Sequence, residues 1–167
     1  MPAIAHAVLG EVTVDPGSGV FWERKLKLAD RDISIDLTIG DVADATPKLF
    51  DWSAQFVTRL AEFEALARIG LRQSYDQDSD SAVALYMAHH LEELGAETLT
   101  RMFGTAKNSV GIDAFLAATF LRRVGLYPAA SGGYATFDYT IGMDETDYLL
   151  AVRFNEEGKV VGIEMES

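Results

Sequence analysis

Two kinds of apolar periodicity divide the chain, a period of two at both ends and a period of three to four in the middle. From residue 134 to residue 141, Ala135, Phe137, Tyr139 and Ile141 alternate with Thr136, Asp138 and Thr140, as a half-buried strand requires. After a polar break at residues 142 to 147, the next run sets Tyr148, Leu150, Val152 and Phe154 on one face and Arg153 on the other. In a last run Val161, Ile163 and Met165 oppose Glu164 and Glu166. Asn155-Glu156-Glu157-Gly158 between these runs suits a short hairpin loop, with Gly158 free to take positive φ. Residues 134 to 167 therefore read as three consecutive antiparallel strands.

The N-terminal third has the same character. A first strand is predicted over residues 7 to 15, closed by the turn residues Pro16, Gly17, Ser18 and Gly19. Residues 20 to 28 form a second, and Ile33, Ile35, Leu37 and Ile39 alternate with Ser34, Asp36 and Thr38 in a third, making a three-stranded meander. At Thr46-Pro47, a good N-cap and first helical residue, the period changes. Leu49, Trp52, Phe56, Leu60, Phe63 and Ala67 then recur at helical spacing, with Phe50, Val57 and Leu66 widening the stripe. The pattern runs to about Tyr75, long for one helix, and predicts a bend near Gly70 or a break near Ala61. A second helix, capped by Asp80 or Ser81, carries Val83, Met87, Leu91 and Leu94 to Gly95. Shorter helices over residues 96 to 103 and 110 to 118 precede a strand over 120 to 127, stopped by Pro128. The order strands, helices, strands predicts one α+β domain over residues 1 to 167. Its antiparallel sheet of six or seven strands packs one face on the helices of residues 46 to 118 and turns the other to water.

Composition changes this picture little, and charge changes it more. An apolar fraction of 49% in 167 residues is enough to build a core. No run approaches a membrane span, the start has no basic and apolar leader, and the absence of cysteine removes disulfide and thiolate chemistry. A cytoplasmic location is the expectation. The net charge of −12 repels nucleic acid and anionic lipid, excluding both as expected partners and leaving a basic protein as the partner class.

Tyr86-Met87-Ala88-His89-His90-Leu91-Glu92-Glu93-Leu94-Gly95, Arg123-Val124-Gly125-Leu126-Tyr127-Pro128, Phe137-Asp138-Tyr139-Thr140-Ile141-Gly142, Thr146-Asp147-Tyr148-Leu149-Leu150 and the closing Met165-Glu166-Ser167 together resemble a bacterial family catalogued as domain of unknown function 2004. The likeness covers most of the chain from about Ile33 onward. It implies an α+β organisation and brings no activity, cofactor or catalytic residue.

Two groups of residues could carry chemistry. His89 and His90 are adjacent on a predicted helix with Glu93 within helical reach of either. Neighbouring helical positions diverge by about 100°, so both imidazoles cannot face one ion. A structural His90, bonded to Glu93 or to a strand carbonyl, is the simpler expectation. The loop carrying Asp144, Glu145 and Asp147, preceded by Asp138, gathers carboxylates that could hold a cation or move protons. Asp76-Gln77-Asp78-Ser79-Asp80 imitates a calcium loop but lacks its glycine and closing glutamate, Ser81 and Met87 standing there. No nucleophile elbow, phosphate loop, dinucleotide fingerprint or zinc motif is present. The expectation is a non-catalytic acidic domain without cofactor, binding a basic protein such as a toxin it neutralises, through Asp138, Asp144, Glu145, Asp147, His89, His90 and Glu93. The alternative is a metal-assisted hydrolase or small-ligand binder built on His89, His90 and nearby carboxylates.

Overall fold

Strands β1 (Ala3–His6), β2 (Gly10–Asp15), β3 (Gly19–Leu28) and β4 (Arg31–Ile39) form one antiparallel meander, and β5 (Phe120–Tyr127), β6 (Tyr134–Thr140), β7 (Leu149–Phe154) and β8 (Val160–Glu166) form another. The structure is a computed structural model describing residues 2–167. The two meanders join edge to edge into an eight-stranded sheet whose strands lie in sequence order. Among the described residues only β4 and β5 pair in parallel, Ile35 opposite Val124 and Leu37 opposite Leu126. A parallel pair needs a long crossover. Here it is supplied by helices α1 (Pro47–Thr58), α2 (Leu60–Gln77), α3 (Ala82–Glu93), α4 (Ala96–Phe103) and α5 (Ile112–Ala118). The fold is α+β, with a mostly antiparallel sheet.

The sheet has eight strands rather than six or seven because Ala3–His6 adds an edge strand and the predicted first strand starts late. Residues 7 to 9 turn instead of extending. His6 Nδ1 accepts the amide protons of Val8 and Leu9 at 3.2 and 3.3 Å, and Gly10 takes φ of 78°. The N-terminal meander therefore has four strands, not three. The long helical pattern breaks at Arg59, two residues before the predicted break at Ala61. Nearby, the Thr58 hydroxyl bonds back to the Ala54 carbonyl at 3.1 Å. Gly70 makes no break but admits β8, for a Cβ there would stand 3.1 Å from Val160 Cγ1. Tyr148 lies outside β7 and is exposed, at the helix-side rim rather than within the buried row of Leu150, Val152 and Phe154.

The core lies between the helices and one face of the sheet. Ile33, Ile35, Leu37 and Ile39 of β4 are fully buried there with Phe137, Tyr139, Val152 and Phe154. Helices α1 and α2 answer with aromatic rings: Phe56 stacks on Phe63 at 4.3 Å, and Phe63 meets Phe154 edge-on at 5.5 Å. Each such large side chain contributes about 1.5–3 kcal/mol by leaving water.

Candidate functional site

The second face of the sheet carries no helix among the described residues. Its central rows follow from the strand register: Glu23, Asp36, Gly125, Thr136, Arg153 and Gly162 lie side by side across β3 to β8. Beside them runs Lys25, Ser34, Arg123, Asp138, Ala151 and Glu164. A register shift between Leu121 and Arg123 turns Arg123 outward while Leu121 and Val124, three apart, both stay buried in the core. A bulge of this kind re-aims a side chain without ending the pairing.

Arg123 organises the centre of this open face. Its Nε and Nη2 donate to the two carboxylate oxygens of Asp36 at 2.6 and 2.7 Å, a bidentate pair. Nη1 donates to Asp138 Oδ2 at 3.2 Å, and Nη2 also donates to the Tyr127 hydroxyl at 3.0 Å. Gly125 sits beneath that last contact, since a Cβ there would lie 2.9 Å from the Tyr127 ring and 3.1 Å from Arg123 Nη2. The partition is unequal. Asp36 takes the two short bonds and holds the guanidinium still more firmly protonated. Asp138, 5% exposed, receives the long bond, and its Oδ1 is buried with no partner among the described residues. Burial pushes the Asp138 carboxyl above the usual carboxylate range, Arg123 pulls the other way, and the charges of Glu166 and Asp36 add to the rise.

Beside Asp138 a cavity of about 220 Å³ opens over β6 to β8. Gly162 and Ala151 leave room for it, and Glu164 and Glu166 line its outer edge. At the opposite end the Arg153 guanidinium lies 3.8 Å above the Tyr134 ring, which stacks on Tyr127 at 4.8 Å. Arg123 pairs with both Asp36 and Asp138, which leaves Glu164 and Glu166 in the cavity with one further cation, Arg153. Such a site suits a cationic group.

The histidines lie elsewhere, on the helix side. Tyr86 carbonyl stands 2.7 Å from His90 Nδ1, which therefore carries the proton and donates. Nε2 then accepts from the Thr146 hydroxyl at 2.8 Å. His90 is 1% exposed, and burial lowers its pKa, so the imidazole is held neutral. It is the structural histidine, though its partners are Tyr86 and Thr146 rather than Glu93, which is exposed. Tyr86 reinforces the clamp: its hydroxyl donates to the Tyr148 carbonyl at 3.2 Å and accepts the Ile141 amide proton at 3.3 Å. His89, half-buried, meets the Tyr148 ring edge-on at 4.9 Å. Asp144 and Asp147 are exposed, while Glu145 accepts from Arg101 of α4 at 2.6 Å.

The structure thus joins His89 and His90 to the 142 to 148 loop and sets Asp138 apart on the opposite face of the sheet. Among the described residues no three histidine, aspartate or glutamate side chains form a group that could hold a metal ion. Asp78 and Ser81 of the calcium-like stretch bond the amides of Asp80 and Ala84, at 2.8 and 3.2 Å, as turn and helix caps. Sequence reading missed Arg123, Tyr134 and Arg153 at the open face. Their one signal is opposite charge at polar positions of strands, which speaks only once the strand order is known. The chain matches no protein-family model, no curated protein and no solved structure.

Proposed function

We propose that this protein is a non-catalytic binding domain that engages a basic protein, such as a toxin it neutralises, through the open face of its sheet. The observation that carries this reading is the uncovered face itself, where the cavity is lined by three carboxylates, Asp138, Glu164 and Glu166, and two guanidinium groups, Arg123 and Arg153, the first already paired with Asp36. A net charge of −12 supports it by steering cationic partners towards the molecule. Exposed Asp144 and Asp147, in the loop after β6 on the helix side, add to the negative field. Resemblance to domain of unknown function 2004 is compatible and adds no activity. No helix among the described residues is long and apolar enough to cross a membrane, and a cytoplasmic location belongs to the same proposal.

The 220 Å³ cavity favours one second reading, a small cationic ligand in place of a protein. The hydrolase alternative finds less support, because both ring nitrogens of His90 are already bonded. A pull-down from the source cell at low and high salt tests the main reading. A partner should be retained at low salt and released above about 0.15 M, where the screening length falls to about 8 Å. Glu164→Lys with Glu166→Lys should abolish retention, and Asp144→Lys with Asp147→Lys should weaken it. Retention indifferent to salt and to both reversals would overturn the reading.

A further inference from the structure

We propose that the cavity over β6, β7 and β8 is an anchor pocket for one arginine side chain of the partner, its guanidinium seated above Ala151 between Asp138 and the pair Glu164 and Glu166. The inference rests on the basic-partner reading and names the contact that would make it specific. Four observations converge on it.

Asp138 supplies the first. It lines the cavity and is 5% exposed; Oδ2 accepts from Arg123, and Oδ1 has no hydrogen-bond partner among the described residues. A buried acceptor without a donor is costly, so the Asp138 carboxyl gains from a donor that reaches it through the cavity. The second is charge. Three carboxylates against two guanidinium groups line the pocket, and Arg123 is held by Asp36 through two bonds and by Asp138 through one, which leaves Glu164 and Glu166 without a cation of their own.

Size and spacing supply the other two. A volume of about 220 Å³ admits one long side chain and not a folded segment. Asp138 and Glu164 flank Ala151 in the same row, one strand to either side, so their backbones stand roughly 10 Å apart at a strand spacing of about 4.8 Å. The small Ala151, 4% exposed, forms the floor between them. A planar guanidinium presents donors along two edges and can serve carboxylates on both sides, whereas a compact ammonium serves one.

The test is an amide-resolved NMR titration of the labelled protein with N-acetyl-arginine amide, N-acetyl-lysine amide and an arginine-rich peptide. The arginine compound should move the amides of Ala151, Gly162 and Glu164 saturably and more tightly than the lysine compound. Ala151→Leu fills the pocket without changing charge and should abolish this binding. Asp138→Asn should weaken it about tenfold or more, a loss of at least about 1.4 kcal/mol. Should that variant fail to fold, Glu164→Gln with Glu166→Gln, both at exposed positions, should show the same weakening. Unmoved pocket amides, or wild-type affinity in Ala151→Leu, would overturn the pocket, and equal affinity for the lysine compound would overturn the guanidinium assignment. A peptide that binds the face in a salt-dependent way yet ignores Ala151→Leu would overturn the pocket and leave the basic-partner reading standing. Failure of every cationic probe to bind the face would overturn both.

Discussion

Replacing His90 with phenylalanine removes two hydrogen bonds from the core while keeping a ring of similar size. The Tyr86 carbonyl loses a side-chain donor, and the Thr146 hydroxyl loses its acceptor. Each such bond is worth about 1 kcal/mol net, so His90→Phe should cost about 2 kcal/mol at neutral pH. The pH dependence is the sharper test. Burial, helped by the neighbouring His89, lowers the folded pKa of His90, whereas the unfolded chain takes up its proton near about 6.5. Stability from this group is therefore present above the unfolded value and lost as pH falls from there through the folded one. One proton gives a slope of up to about 1.4 kcal/mol per pH unit across that window. Urea unfolding of both proteins between about pH 5 and about pH 8 reads this directly, since histidine is the side chain that ordinarily titrates there. His6 and His89 are present in both proteins. The gap between wild type and variant should narrow as pH falls. A gap constant across the range would refute a neutral, buried His90.

Three further outcomes follow from the sheet. Removing residues 160 to 167 strips half-buried Val160, Ile163 and Met165 from the core edge, Val161, expected on that face, being exposed where the register shifts at Phe154; at about 1 kcal/mol or more each, the truncated protein should melt well below the parent, and melting at the parent temperature would contradict this packing. Gly125→Ala should cost about 1 kcal/mol, the worth of the Arg123–Tyr127 hydrogen bond it displaces, and unchanged urea midpoints would count against the crowding. Asp138 has its folded pKa raised by burial against the pull of Arg123, with Asp36 and Glu166 adding to the rise, so its stabilising contribution is present in acid and lost as pH rises through the folded value. Asp138→Asn should accordingly gain on wild type as pH climbs from about 4 towards neutrality, and parallel stability curves would refute the burial of an ionisable Asp138.

Local pattern carried the strands and failed where tertiary partners decide. Ile33, Ile35, Leu37 and Ile39 were legible because one face meets the core and the other does not, which imprints alternation on the sequence. Strand β1 was hidden, for Ala3-Ile4-Ala5-His6 is short and only half-buried at the sheet edge. The polar face of β6 was legible too, but the burial of Asp138 was not. It depends on Arg123, which itself bonds Asp36 from 87 residues away. Helical spacing nominated Glu93 as partner of His90, whereas the ring reaches Thr146, 56 residues on. Spacing within a helix cannot see a loop that folds back upon it.

The parallel pairing of β4 with β5 gives the molecule a seam unlike its other strand junctions. Between Ile39 and Phe120 run 80 residues, and closing a loop of that length costs about 4 kcal/mol of chain entropy. Its neighbouring junctions, β3 with β4 and β5 with β6, close over short turns and incur far less. The seam is fastened by fully buried Ile35, Leu37, Val124 and Leu126 and, on the open face, by the Arg123–Asp36 pair. An opening there would part the two meanders as intact units, and native-state hydrogen exchange would register it as joint loss of protection along β4 and β5. The ion pair that leaves Asp138 without a full partner is thus also the polar rivet between the halves of the sheet.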